Sequence, residues 1–304
     1  MKRIACVACL DPKFSIHTHT FLRAVVLARH CLLGPSVQIR LFDDNASREG
    51  ALRAARDILA WSPDAVVGHF ASAAADAAAP EYAAHNMPLF LPAATASHLT
   101  RNATTWRLCD NDADYVAWLS EQTELAQWCV APPEHDGSLH GISVAEQLAA
   151  RLRLTPYGTT RLFSGRYAAS VRYAIRWAHT DLPGRLILTD DAGSTALAPD
   201  LLAHGINPDR HDILIAGICP HPAGETARRV REIWRRRWGG EPGTYLWETL
   251  AALQTAARYP ELPAQTVLGP LRFDDRRESR PSSFRLWRVT HQGLIAWQPA
   301  PEVV

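Results

Sequence analysis

"LFDDNASREGALRAARDILAWSPDAVVGHFAS", residues Leu41 to Ser72, holds a complete helix between two strand-like runs and the start of the next helix. The flanking runs, Val37 to Phe42 and Ala65 to Gly68, are short, apolar and followed by turn formers or a glycine. Between them Leu52, Ala55, Ile58 and Leu59 recur at three- and four-residue spacing, with Arg48, Arg53, Arg56 and Asp57 outside, which predicts an amphipathic helix over Ser47 to Trp61. Apolar strands that alternate with helices are covered on both faces, the mark of a parallel sheet built from βαβ units.

The same alternation extends both ways. A strand over Ile4 to Leu10 and a helix over Thr20 to Leu33 precede the unit; a helix over Ser72 to His85 and a strand over Pro88 to Leu91 follow it. A second series begins after "WRLCDND", Trp106 to Asp112. It reads as helix Ala113 to Glu121, strand Gln127 to Ala131, helices Ile142 to Leu152 and Tyr167 to Ala178, strand Arg185 to Thr189, helix Leu197 to His204 and strand Asp212 to Gly217. Two more helices, Thr226 to Trp238 and Tyr245 to Tyr259, lead into the β-type runs "SFRLWRVT" and "GLIAWQP" around a turn at Gln292-Gly293. The expected architecture is α/β, two parallel-sheet βα lobes with a ligand cleft between them. Lobe one takes residues 1–108 plus about 221–265, and lobe two about 109–220 plus 266–304.

The bulk properties suit that size. The chain has 304 residues, 47% hydrophobic and 21% charged, enough for two ordinary domains with buried cores. A net charge of +1 supplies no field to recruit nucleic acid or an acidic membrane, so no nucleic-acid partner is expected. Cys6, Cys9, Cys31, Cys109, Cys129 and Cys219 are scattered through apolar runs without zinc-finger pairing, which predicts buried free thiols in a reducing setting. "MKRIACVACLDP" enters a β-type run at once, with no signal-peptide core, and no apolar span of about 18 residues occurs. Read from Met1, the expectation is a cytoplasmic protein not inserted in a membrane; with a signal peptide ahead of Met1 it would be periplasmic.

The order of these motifs resembles the type I periplasmic-binding fold, in particular the leucine/isoleucine/valine-type receptors and their cytoplasmic amide-sensing relatives. The opening stretch is similar to that family's strand-D-D, A-x-x-A-A-x-x-L and G-x-x-x-S series. "MPLFLPAATASHLT" resembles its P-x-I-S-P-x-A-T segment, "WRLCDND" its F-R-x-x-x-x-D crossing, and "EPGTYLWETLAALQTA" with "LGPLRFD" its Y-D-A helix and G-x-x-x-F-D strand. The resemblance implies that Ser72, opening a helix, holds a ligand oxygen together with free backbone N–H groups, while its neighbouring alanines let the ligand approach. Without the resemblance Ser72 is an N-cap, and the two roles are compatible. It also implies contacts from Ala93, Ala94 and Thr95 after the next strand. Phe70 and the loop of Ser15, Ile16 and His17 would lie nearby.

The second half departs from the family. "PEHDGSLHGISVAEQL" puts His140 where the family has a tyrosine, and "LTDDAGST" puts Asp190 and Asp191 where it has glycines and aromatics. Paired carboxylates favour a cationic or donor-rich ligand; Asp191 can equally start a turn into the next helix. A longer strand-loop unit that the family carries between "LLAHGINPDR" and "HDILIAGICPHP" is missing, so its amino-group recognition is incomplete here. His17 and His19 in "HTHT" lack a third ligand placed by spacing, and neither a metal nor a cofactor is expected. The run "ARRVREIWRRRWGG" reads as a solvated amphipathic helix or a docking face for an acidic protein partner; a homodimer is also open. With no G-x-S-x-G, phosphate loop or H-E-x-x-H, no catalytic residues are assigned. The expected function is non-catalytic binding of a small polar ligand, amino acid or amide in type, by a sensor or carrier. An enzyme using His140 with Asp190 and Asp191, or an ABC-transporter receptor, is the alternative.

Overall fold

The computed structural model describes residues 1–122, 129–180, 184–218, 222–279 and 284–298. The chain divides into unit 1, Met1–Asn111 with Pro220–Ser282, and unit 2, Asp112–Cys219 with Ser283–Val304.

Unit 1 is built on a fully parallel five-stranded sheet of order β2-β1-β3-β4-β5: β1 Lys2–Ala8, β2 Val37–Asp43, β3 Ala65–Gly68, β4 Leu89–Leu91 and β5 Thr105–Arg107. Helices α1 (Thr18–Leu27), α2 (Arg48–Trp61) and α3 (Ser72–Ala84) connect the first four strands, and α1 runs on into a π-helical turn at Ala28–Leu32. Ile4 to Ala8 are buried without a break because both faces of β1 are covered. Ala5 and Val7 join the core under α2 and α3, while later in the chain α9 (Leu246–Arg258) packs against β1, β3 and α1.

Two sequence expectations need adjusting here. In α2 the buried face is Ala51, Ala54, Ala55 and Ile58, and Leu52 is exposed, because the helix is turned by about one position towards its small residues. The alanine tract of α3 is core as well: Ala74, Ala75, Ala77, Ala78 and Ala79 are buried in the cluster that contains the α2 alanines. Small side chains on both helices let their backbones pack closely, so these alanines serve helix packing.

Unit 2 has a six-stranded sheet of order β13-β12-β9-β8-β7-β6, formed by β6 Glu134–His135, β7 Thr160–Ser164, β8 Arg185–Leu188, β9 Asp212–Ile218, β12 Phe284–Thr290 and β13 Gly293–Ala296. Four strands are parallel, while β12 and β13 run antiparallel to β9 and to each other, so the sheet is mixed. The reason is the final hairpin, which closes at the turn before Gly293 and lays its first strand against β9. Helices α4 (Asp112–Ser120), α5 (Leu139–Arg151), α6 (Tyr167–Ala178) and α7 (Leu197–Ala203) complete the unit. Strand β7, "TRLFS", escaped the sequence reading because only Leu162 and Phe163 in it are large and apolar. The expected strand at 127–131 falls partly outside the described residues; Val130 forms parallel bridges to Leu154 and Thr160.

Residues 266–282 belong to unit 1, against the expectation that they join lobe two, and so do residues 109–111. The cause is pairing. The hairpin of β10 (Ala264–Thr266) and β11 (Gly269–Leu271) follows α9, and the chain then runs beside β5, where Arg107 N–H donates to Arg277 O and Ser279 N–H to Arg107 O, both at 3.0 Å. Helix α8 (Glu225–Trp238) buries Ala227, Val230 and Trp234 and exposes Arg228, Arg229, Arg235, Arg236 and Arg237, while Arg231 is half-buried over the ring of Trp247. Cys6, Cys9 and Cys109 are buried free thiols, Cys31 is half-buried and Cys129 exposed; Cys219 lies outside the described residues.

Glu248 in the first turn of α9 is fully buried, and neither carboxylate oxygen has a hydrogen-bond partner on another of the described residues. Burial pushes its carboxyl up to about 8, its own backbone N–H opposing and the charge of Asp110 adding. The folded state therefore binds a proton that the unfolded chain gives up above its ordinary value of 4.5. The stability this confers is full below that value and is lost as pH rises through about 8. Urea melts of Glu248→Gln should lack this decline, leaving the variant more stable than the parent at high pH by on the order of 2–4 kcal/mol. Equal pH dependence in both proteins would show that the Glu248 carboxyl has the same pKa in the folded and the unfolded chain.

Candidate functional site

The strand order of unit 1 reverses between β1 and β3, and ligands of open α/β sheets collect outside the carboxyl ends of strands at such a point. Gly68 ends β3 there with φ at +132°, and a Cβ on it would stand 1.8 Å from the carbonyl oxygen of Val7, so only glycine fits. His69 turns inward and is completely buried. Its Nδ1 lies 2.7 Å from Asp44 Oδ2 and its Nε2 3.1 Å from the Tyr82 hydroxyl, which fixes the start of the loop between β2, β3 and α3. Burial raises the Tyr82 hydroxyl far out of its ordinary range, with Asp44 adding to the rise.

Phe70 is nearly buried in edge-to-face packing, 5.2 Å from Phe21 and 6.2 Å from Tyr245, and 6.2 Å from His17 in a tilted arrangement. This aromatic group joins the loop after β1 to the start of α9. Ile16, in the same loop, is exposed.

Ser72 is the first residue of α3 itself; the N-cap is Ala71, whose extended backbone offers no side-chain cap, so the N-cap role expected for Ser72 does not hold. Its hydroxyl instead accepts the backbone N–H of Ala96 at 3.3 Å, tying the loop after β3 to the loop after β4. Ala93, Ala94 and Thr95 are all buried on that second loop. A buried cation holds the loop in place. Arg107 of β5 is 0% exposed, donates from its two terminal nitrogens to Thr95 O at 2.5 Å and Ala96 O at 2.7 Å, and faces Glu278 Oε2 with Nε at 3.3 Å. Burial raises the Glu278 carboxyl while Arg107 and a hydrogen bond from Thr100 pull it back. Ser72 and residues 94–96 are thus brought together at the sheet's carboxyl edge, beside the free N–H groups of a 13-residue helix.

In unit 2 the sequence-predicted pair meets as well. Ser138 caps α5 by accepting the Gly141 N–H at 3.1 Å, and this places His140 inside the first turn, not ahead of the helix. Asp136 supports the turn by accepting from Ser138 and from Arg166; burial alone would raise its carboxyl, but these hydrogen bonds win and hold it at about 2. His140 lies between two nearly buried carboxylates, with Nδ1 3.2 Å from Asp112 Oδ1 and Nε2 3.2 Å from Asp190 Oδ1. Burial would lower its pKa, yet Asp190 and Asp112 outweigh burial and hold it well above the ordinary histidine value. Asp190 and Asp191 open a short 3-10 turn, Asp190–Ala192, between β8 and α7. Among the described residues the side chains that could together hold a metal ion are His140, Asp190 and Asp191, while His19 is exposed and His17 packs edge-on to the ring of Tyr245 at 5.2 Å.

Sequence reasoning missed Asp112, His69 and Arg107 as site residues. Asp112 and Arg107 stand in "WRLCDND" as a motif without a role, and His69 follows Gly68 at the end of an expected strand; each needs a distant partner to gain meaning.

Solved structures match the chain over nearly its whole length. A leucine-binding protein from Thermotoga maritima superimposes with a TM-score of 0.83 at 14% identity, covering 98% of both chains. A branched-chain amino acid transporter substrate-binding protein from Streptococcus pneumoniae, in complex with isoleucine, gives 0.76 at 14% identity, covering 97% of this chain and 98% of that one. The fold is that of the type I periplasmic-binding proteins. A solute-binding protein of this fold from Rhodopseudomonas palustris, in complex with 4-hydroxybenzoate, matches at 0.76 and 12% identity over 98% and 96% of the two chains. No protein-family model matches the sequence, and no curated protein matches it. No helix among the described residues is long and apolar enough to cross a membrane.

Arg107→Met should destabilise the protein by about 3–5 kcal/mol, because it strands the Glu278 carboxylate and two loop carbonyls in the interior. Urea denaturation measures this, and a loss below about 1 kcal/mol would show that the loop does not depend on the guanidinium.

Proposed function

We propose that this chain binds a small polar ligand, amino acid or amide in type, without chemical turnover, at the carboxyl edge of the unit 1 sheet. The observation that carries this is the junction of the two strand-end loops at Ser72 Oγ and Ala96 N–H, set at the N-terminus of α3. Helix N–H groups and a serine hydroxyl suit a carboxylate or carbonyl oxygen. Ala93, Ala94 and Thr95 line the second loop, and Phe70 and Ile16 flank the first. Structures of the same fold in complex with isoleucine, leucine and 4-hydroxybenzoate support a ligand bearing a carboxylate.

Two roles fit such binding. One is a cytoplasmic sensor or ligand carrier. The other is the receptor of an uptake system, favoured by the ABC-transporter substrate-binding proteins among the structural neighbours. Cell fractionation and sequencing of the mature N-terminus separate the two.

Calorimetry against a panel of amino acids, amides and aromatic carboxylates should find a binder. Ser72→Ala should weaken it about tenfold, the worth of one hydrogen bond to a charged group, with little change in melting temperature. A folded protein that binds no member of the panel overturns the reading.

A further inference from the structure

We propose that His140, Asp190 and Asp191 form a site for one divalent transition-metal cation, with Asp112 orienting the imidazole. All four side chains belong to unit 2.

The spacing carries it first. Each of the three ligands offers an atom within 4.8 Å of the others, and His140 Nε2 lies 3.2 Å from Asp190 Oδ1. A four-coordinate ion with bonds of about 2.0–2.1 Å spaces its ligand atoms by about 3.3 Å, so His140 and Asp190 already stand at the edge of such a polyhedron. Asp191 comes from the same short turn as Asp190, is half-buried, and brings a carboxylate oxygen within 4.8 Å of the other two ligand atoms.

A second observation comes from another element. Metal-bound imidazoles commonly give their other ring nitrogen to a carboxylate, which fixes the ring and raises its donor strength. Asp112, at the start of α4, lies 3.2 Å from Nδ1 of His140 in that role and leaves Nε2 turned to the aspartate pair.

Charge points the same way. The Asp112 and Asp190 side chains are 3% and 2% exposed, and three carboxylates converge on one imidazole. Coordination through Nε2 requires the neutral imidazole, so the three carboxylates face the divalent cation directly and it offsets most of their charge. One imidazole with carboxylates is a donor set for zinc, cobalt or nickel, whereas calcium and magnesium prefer oxygen alone. The His140 side chain remains 14% exposed, which leaves the ion a way in.

The test is titration of the chelator-treated full chain with Co²⁺ and Zn²⁺, read by calorimetry and by the visible absorption of bound Co²⁺. One equivalent should bind, with the intense bands of a four- or five-coordinate cobalt ion. Asp191→Asn and His140→Gln should each weaken binding at least tenfold, and Asp112→Asn by about 10–100-fold. Asp191→Asn alters a half-buried side chain and keeps the test valid if the His140 variant fails to fold. No stoichiometric binding by the parent, unchanged affinity in Asp191→Asn, or preference for Mg²⁺ over Zn²⁺ would overturn the proposal.

Discussion

A guanidinium in the interior has to find acceptors, and in unit 1 it finds them on two separate stretches of chain. Arg107 reaches forward from β5 to the carbonyls of Thr95 and Ala96 and sideways to Glu278, which the chain reaches only after it has made all of β6 to β9, α8 and α9. Truncating one partner of a buried pair costs several kcal/mol, so the loop and the returning segment are held to one geometry by the same group. The position of Ala96 N–H, and through it the hydroxyl of Ser72, follows from that constraint. The loop is shaped from beneath before any ligand arrives.

The two units solve the same problem of buried charge differently. Unit 1 places a cation among neutral carbonyls and one carboxylate. Unit 2 places an imidazole among carboxylates. The His69 group of unit 1 is a third solution, an imidazole shared between Asp44 and Tyr82 with no exposure at all. That enclosure makes His69 a positioning residue for the β3 loop, whereas the partial exposure of His140 leaves it able to meet something from outside. Burial separates the two histidines, although each is bounded by an aspartate.

Local sequence carried much of the fold. β3 at Ala65–Gly68 and α6 at Tyr167–Ala178 were readable to the residue, since each is apolar or amphipathic with clear punctuation. β7 was not, because "TRLFS" owes its place to neighbours β6 and β8 and not to its own pattern. The membership of residues 266–282 was equally hidden: backbone pairing of Arg277 and Ser279 with Arg107 spans more than half the chain, and no local signal announces it. In the candidate site, Ser72, Ala94 and Thr95 were legible through motif resemblance, and His140 with Asp190 through their departure from it. Asp112 was not, because its partner lies in a different helix.

By itself, then, the sequence determined the alternation of strands and helices, the glycine that permits the sharp exit from β3, and the residues that open the strand-end loops. These are properties of short segments, set by apolar periodicity and by the sterics of a missing Cβ. Tertiary structure alone decided what each polar group is for. It turned Ser72 from a helix cap into a tie between loops, the alanines from a ligand-facing strip into the packing face of α3, and Asp112 from a motif residue into the partner of His140. A polar side chain takes its role from whatever lies within about 3 Å of it. In this protein those partners are brought close by the fold from far along the chain.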